Sequence, residues 1–152
     1  MSAATTVLLD ADTVAGWRRP SPSIDQLHQA VEDLVREHPG VDVAVVADPS
    51  LKWALSETDQ ERFEEDIVRR AVVCAPAGTR DGHDAWIAAV ALAAGSDGRR
   101  VVVVTDRALA DLPIARLRRV GDRFSFDLDG ASPVSAGAAR GSGSSRRRRG
   151  RR

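Results

Sequence analysis

The sequence predicts an α/β domain over residues 5–128, a parallel β-sheet with helices on both faces (an α/β/α sandwich). Three observations predict it. Valine-rich runs alternate with stretches of helical period, the pattern of successive βαβ units. The runs are apolar without interruption, as strands covered on both faces are. Most of them end abruptly in an aspartate.

The elements follow in order. Residues 7–9 of "VLLDADTVAG" read as a buried strand stopped by Asp10 and Asp12. "RRPSPS" (18–23) breaks the chain. Ser23 precedes Gln26 by three residues, a capping-box spacing, and Ile24, Leu27, Val31, Leu34 and Val35 continue at helical period until Pro39-Gly40. "VDVAVVAD" (41–48) is a second strand. Thr58 and Glu61 repeat the capping-box pattern, with Phe63, Ile67 and Ala71 as the inner face of the helix they open. "AVVCAP" (71–76) is a third strand. A helix is expected from about Asp84 to Gly95, with Trp86 in the core. "RVVVVTD" (100–106) is a fourth strand, residues 107–120 a short broken helix, and "RFSFDL" (123–128) a half-exposed last strand. Residues 129–152, rich in Gly, Ser and Arg, are expected to be a disordered basic tail.

The zero formal charge hides an asymmetry. Seven of the 22 basic residues lie in 140–152 with no acid among them, leaving 15 basic against 22 acidic residues elsewhere. One cysteine, Cys74, excludes an internal disulfide and suits a reducing compartment. No apolar run has the length of a membrane helix and no secretory signal is visible, so a cytoplasmic protein without membrane association is expected. The sequence leaves a homodimer open and names no protein partner.

The acids carry the chemistry. Asp10 and Asp12 follow the first strand, Asp48 the second and Asp106 the fourth, and Asp84 opens the helix before the fourth. In an open parallel sheet the carboxyl ends of the strands line one edge, where ligands bind. Clustered carboxylates repel one another unless a cation sits among them. Carboxylate oxygens without a Cys/His cluster suit Mg²⁺ or Mn²⁺, and such a site supports hydrolysis of a phosphodiester. Any one aspartate taken alone reads better as a turn or cap residue, Asp48 in "DPS" most clearly; the joint placement of Asp10, Asp84 and Asp106 at the expected edge tips the reading to a metal site. "DAD" also has the form of an aspartate-phosphatase loop, but Thr13-Val14 is out of step with that pattern and the only lysine, Lys52, falls too early.

Four segments, "LLDADTVAG", "VAVVADPSLKWALSETDQERFEE", "APAGTRDGHDAWIAAVA" and "VVVVTDRAL", resemble the NYN/PIN-like ribonuclease superfamily in order and spacing, most of all the regnase-type RNase domain, over roughly residues 5–115. The resemblance implies a PIN/NYN-like fold that binds Mg²⁺ or Mn²⁺ and cuts single-stranded RNA, leaving a 5′-phosphate and a 3′-hydroxyl. By position, Asp10, Asp84 and Asp106 match the family's metal-binding, catalytic acids, with Asp12 or Asp48 assisting. Thr13 stands where the family often has asparagine, and His83 where many members have a second acid. These departures, which Asp12 or Asp81 would offset, motivate an alternative: a catalytically degenerate RNA-binding or regulatory module. A toxin of a toxin–antitoxin pair is a variant of the nuclease reading.

Arg18, Arg19, Arg80 and Arg107 flank the expected site and would hold the phosphate backbone. Arg146, Arg147, Arg148 and Arg149 in the tail would add salt-sensitive affinity for nucleic acid. Trp17 and Trp53 either stack unpaired bases or pack under loops, the second reading being preferred for each. His28 and His38 read as surface residues, whereas His83 is balanced between a role in the site and a solvated loop position.

Overall fold

The computed structural model describes residues 5–76, 82–95, 98–107, 109 and 112–133. The first half of the chain forms β1 (Thr5–Asp10), α1 (Ala11–Ala15), α2 (Ile24–Glu37), β2 (Asp42–Ala47), α3 (Leu51–Ala54) and α4 (Glu57–Val68). The second half forms β3 (Val73–Cys74), α5 (Gly82–Ala94), β4 (Arg100–Val104), β5 (Pro113–Ala115), β6 (Leu117–Val120), β7 (Arg123–Phe126) and β8 (Ser132–Pro133). The main sheet has the order β3-β2-β1-β4-β5-β8. Its first five strands are parallel and β8 pairs antiparallel at the edge.

Alternation within the valine runs builds the two layers. Val7 and Leu9 of β1 and Val102 and Val104 of β4 join Val14, Ile24, Leu27, Leu34 and Phe63 in one core. Their neighbours Leu8, Val101 and Val103 join Ile87 and Ala91 of α5 in the other. β1 is central, with Leu8 opposite Ala44 of β2 and Val103 of β4. Strands buried on both faces need parallel crossovers covered by helices, so the α/β/α sandwich follows from the sequence pattern.

The segment 107–120 departs from expectation. Where it is described it is not helical: Ile114 and Ala115 pair with Val103 and Val104, and Leu117–Val120 pairs with Arg123–Phe126 in a separate two-stranded sheet. Pro113 cannot sit inside a helix, and strand pairing with a distant partner overrides the helix propensity of Arg, Leu and Ala. β7 therefore belongs to a hairpin with β6, not to the main sheet. β8 lies in a stretch whose composition suggested the tail; the remainder, from residue 134, lies outside the described residues.

The helix caps show one success and one shift. Ser23 Oγ accepts from Gln26 N–H at 3.2 Å, as the spacing implied. α4 is capped by Ser56, which accepts from Asp59 N–H, and not by Thr58. The inner face of α4 shifts with it: Phe63 is buried, Ile67 is 36% exposed and Ala71 is exposed. Asp66 turns inward beside Phe63, ion-paired to His28 at 2.6 Å and Arg69 at 2.8 Å. His28 is thus tied to a buried carboxylate. His38 is likewise tied down, its Nε2 lying 2.9 Å from Phe126 O.

The hairpin is clasped to α2 by carboxylates. Asp33, 2% exposed, accepts the N–H of Phe124, and Glu37 accepts the N–H of Phe126 and the hydroxyl of Ser125. Phe124 and Phe126 are thereby seated in the core beside Trp17.

Candidate metal centre

Asp10 ends the central strand and is fully buried. A buried carboxylate must be compensated, and its two oxygens are treated differently. Oδ2 accepts from Thr13 Oγ1, Thr105 Oγ1 and Arg107 Nη2, each at 2.9 Å. Oδ1 faces His83 Nε2 at 3.3 Å. The short helix α1, directly after β1, carries Asp12 and Thr13 back over the strand end. Thr13 and Thr105 lie close to Asp10 because β1 and β4 are parallel neighbours that stop at the same edge.

Asp12 Oδ1 accepts the N–H of Asp48 at 3.0 Å and lies 3.8 Å from His83 Nε2. Burial pushes its carboxyl up to about 6; the N–H of Asp48 pulls it down, Asp10 pushes it further up and His83 pulls it down. Asp10, Asp12 and His83 each bring one donor atom within 4.8 Å of the others. This cluster is able to coordinate a divalent cation. The His83 ring stacks on Trp86, 6.3 Å between centroids, and its Nδ1 is buried without a partner among the described residues. Trp86 is half-buried against the α5-side core, as a side chain supporting His83.

Asp84 and Asp106 join Asp10 through an arginine. Arg107 Nη2 lies 2.6 Å from Asp84 Oδ1, Nε donates to both Asp84 oxygens at 3.1 Å, and Nη1 reaches Asp106 Oδ1 at 3.2 Å. Asp84 chiefly, and Asp10 with it, raise the pKa of the guanidinium against the burial that lowers it. Thr13 Oγ1 also lies 3.2 Å from Asp106 Oδ1, so the threonine bridges two acids, its single proton serving one at a time.

Asp48 plays the turn role. Its Oδ1 accepts the N–H of Ser50, which lowers its pKa, and its own N–H donates to Asp12 of the cluster. Arg18 lies over the Trp17 ring at 4.5 Å. Trp53 is not packed under a loop: it is 74% exposed, with Lys52 over its ring. Arg80, Asp81 and the tail arginines 146–149 lie outside the described residues.

Sequence reasoning left His83 undecided and missed Thr105 as an Asp10 partner. It also missed Arg107 as a countercharge. Thr105 was legible in principle, since it immediately follows the strand beside that of Asp10.

No protein-family model matches the chain, and no curated protein matches its sequence. Among solved structures, the fold is similar to that of nuclear proteinaceous RNase P 2 from A. thaliana, with a TM-score of 0.58 and 17% identity. The match covers 85% of this chain and 30% of that one, so the chain spans less than a third of that protein's length. The likeness is one of fold. Fold and cluster together define a parallel α/β protein with an Asp/Asp/His group able to hold a divalent cation at the sheet edge. No helix among the described residues is long and apolar enough to cross a membrane.

Proposed function

We propose that the chain is a metal-dependent endoribonuclease of PIN/NYN type acting on single-stranded RNA. One observation carries this reading. Asp10 is held on Oδ2 by three donors, which turns Oδ1 toward Asp12 and His83 at the edge where parallel sheets bind ligands. Orientation of a ligating carboxylate by such outer partners is typical of built metal sites. Two carboxylates and an imidazole fit a divalent ion, the carboxylates suiting Mg²⁺ or Mn²⁺ and the imidazole admitting ions such as Zn²⁺ or Fe²⁺ as well.

A cation held there would draw charge from a phosphodiester and ease deprotonation of water. The chain's residues supply the rest. Asp10 and Asp12 provide the negative charge that retains the cation, and His83 the third donor. Arg107 sits beside them with its side chain 40% exposed, so it is placed to pivot from Asp84 and Asp106 onto a substrate phosphate. Asp84 and Asp106 then hold Arg107 in reserve and add charge around the cation.

The second reading, a non-cutting RNA-binding module, is favoured by the same arginine. Arg107 lies among Asp10, Asp84 and Asp106, where the family resemblance would place the ion. Titrating Mn²⁺ into the protein with a fluorescent single-stranded RNA decides between them. Cleavage that needs the metal and is lost in Asp10→Asn supports the nuclease; binding in EDTA with no cleavage in any metal supports the module.

A further inference from the structure

A cavity of about 260 Å³ opens beside Asp106 and Arg107, on the β5 side of the cluster. It is also lined by the aromatic Trp17, the apolar Ile114 and Leu117, the polar Thr13 and Thr105, and the cationic Arg116. We propose that this cavity receives one unpaired nucleobase of a single-stranded nucleic acid next to the phosphate at the cluster. Trp17 would serve as its stacking wall and Arg116 as a phosphate or base-edge contact. The inference rests on the nuclease reading for its location and adds a site that the acid cluster does not define.

Size comes first. Pockets for drug-sized ligands run roughly 300–1,000 Å³; this one is smaller and suits a single flat ring system. Composition comes next. An aromatic wall with aliphatic neighbours and a few polar groups is what a stacked base requires, and stacking tolerates any base because every base has a π-face.

The wall is also held in place. Trp17 meets Phe124 edge-on at 5.6 Å, and Arg18 covers it at 4.5 Å. Arg18 is one of two non-glycine residues at positive φ among those described, at 54°. Such a conformation costs free energy and tends to persist where the surroundings need it. Phe124 in turn carries Arg119 at 4.6 Å. Arg18, Trp17, Phe124 and Arg119 thus form one cation–aromatic row, of which Trp17 lines the cavity.

Charge supplies the last argument. Arg116 and Arg118 are exposed and have no carboxylate partner among the described residues. Arg116, immediately before β6, lines the cavity, and Arg118 lies two residues further along on β6. Exposed arginines beside an aromatic wall form the groove that tracks a single-stranded backbone.

The test is equilibrium binding of the full chain in EDTA, read by anisotropy, so that cleavage plays no part. The probes are a labelled oligo-uridylate, an oligo-deoxythymidylate, an abasic strand of equal length and an RNA duplex. The wild type should bind the base-bearing single strands about tenfold more tightly than the abasic strand, with the duplex also weaker. Trp17→Leu should erase the difference between base-bearing and abasic strands. Arg116→Ala, at an exposed position where folding is not at stake, should weaken single-strand binding severalfold. It should also lower the slope of log affinity against log salt by about 0.7. Arg70→Ala, at the opposite edge of the sheet, should change neither. Equal binding of base-bearing and abasic strands, or wild-type affinity and salt slope in Arg116→Ala, would overturn the proposal. Loss of cleavage in Asp10→Asn with no effect of the cavity variants rejects the cavity and keeps the nuclease. Cavity-dependent binding without cleavage in any metal does the reverse.

Discussion

Arg107 Nη2 lies 2.9 Å from Asp10 Oδ2, although 97 residues separate the two in sequence. The fully buried carboxylate at the end of the central strand thus has its countercharge supplied by the loop after β4. The same guanidinium serves Asp84 and Asp106. One arginine therefore performs for three acids the neutralising role expected of a cation.

Removing that charge exposes the repulsion it masks. Arg107→Gln should destabilise the metal-free protein by about 1–3 kcal/mol, less than for a fully buried broken pair because water screens the half-exposed guanidinium. The variant should also gain more thermal stability from Mn²⁺ than the wild type does. Melting curves with and without Mn²⁺ check both. Equal melting temperatures for the two metal-free proteins would reject the countercharge role.

Asp12 gives a pH-dependent outcome. Its carboxyl, raised by burial from 3.8 to about 6, holds a proton more tightly in the folded than in the unfolded chain. Its contribution to stability is full below pH about 4 and is lost as pH rises through about 6. The ionised group then costs roughly 2–3 kcal/mol at neutral pH. Asp12→Asn should raise the melting temperature of the metal-free protein at pH 7.5 and leave it nearly unchanged at pH 4. The same variant should abolish most of the Mn²⁺-induced shift. A variant less stable than wild type at pH 7.5 without metal contradicts this account.

The clasp between α2 and β7 behaves oppositely. Burial alone would raise the carboxyl of Asp33, but the Phe124 N–H, the Gln29 amide and the Arg36 guanidinium hold it below its ordinary value. Glu37 is lowered in the same way by Ser125, the Phe126 N–H and His38, again against burial. Stability from both is present above the ordinary carboxylate range and is lost as pH falls through the lowered folded values. Asp33→Asn should destabilise the protein at pH 7 and flatten its acid-unfolding curve. Melts from pH 3 to pH 7 measure it, and parallel curves for variant and wild type would rule out the clasp as an acid-sensitive element.

Thr105, 4% exposed, tests the orientation of Asp10 without touching charge. Thr105→Val keeps the shape and removes one of three donors to Oδ2, at a cost of about 1–3 kcal/mol for the under-satisfied buried acceptor. Calorimetric titration should show weaker Mn²⁺ binding in the variant. Unchanged stability and unchanged affinity would mean that this hydroxyl does not position Asp10.

The legible parts of the fold share one property: their signals are local. Val7–Leu9, Val43–Val46 and Val101–Val104 announce buried strands by composition alone, and Ser23 announces a helix start three residues ahead. Residues 113–120 carry no such signal. They form strands because Val103, Val104 and Arg123–Phe126 lie beside them, which no local pattern encodes. The inward place of Asp66 was hidden for the same reason, since its partner His28 comes from another helix, α2. At the site, Asp10 and Asp106 were legible as acids following strands and Asp84 as the acid at the start of α5. The arginine that joins them was not, because a loop arginine shows no sign of which acids it will meet. His83 became part of the cluster only once α5 was placed against β1.

The most direct test of the central claim is Mn²⁺ binding and RNA cleavage measured together on wild type and Asp10→Asn. Calorimetry gives the binding, and a fluorescent single-stranded RNA gives the cleavage. The account expects the wild type to bind Mn²⁺ and to cut only when it is present, and the folded variant to lose both. A folded Asp10→Asn protein that binds Mn²⁺ and cuts RNA as the wild type does would contradict it.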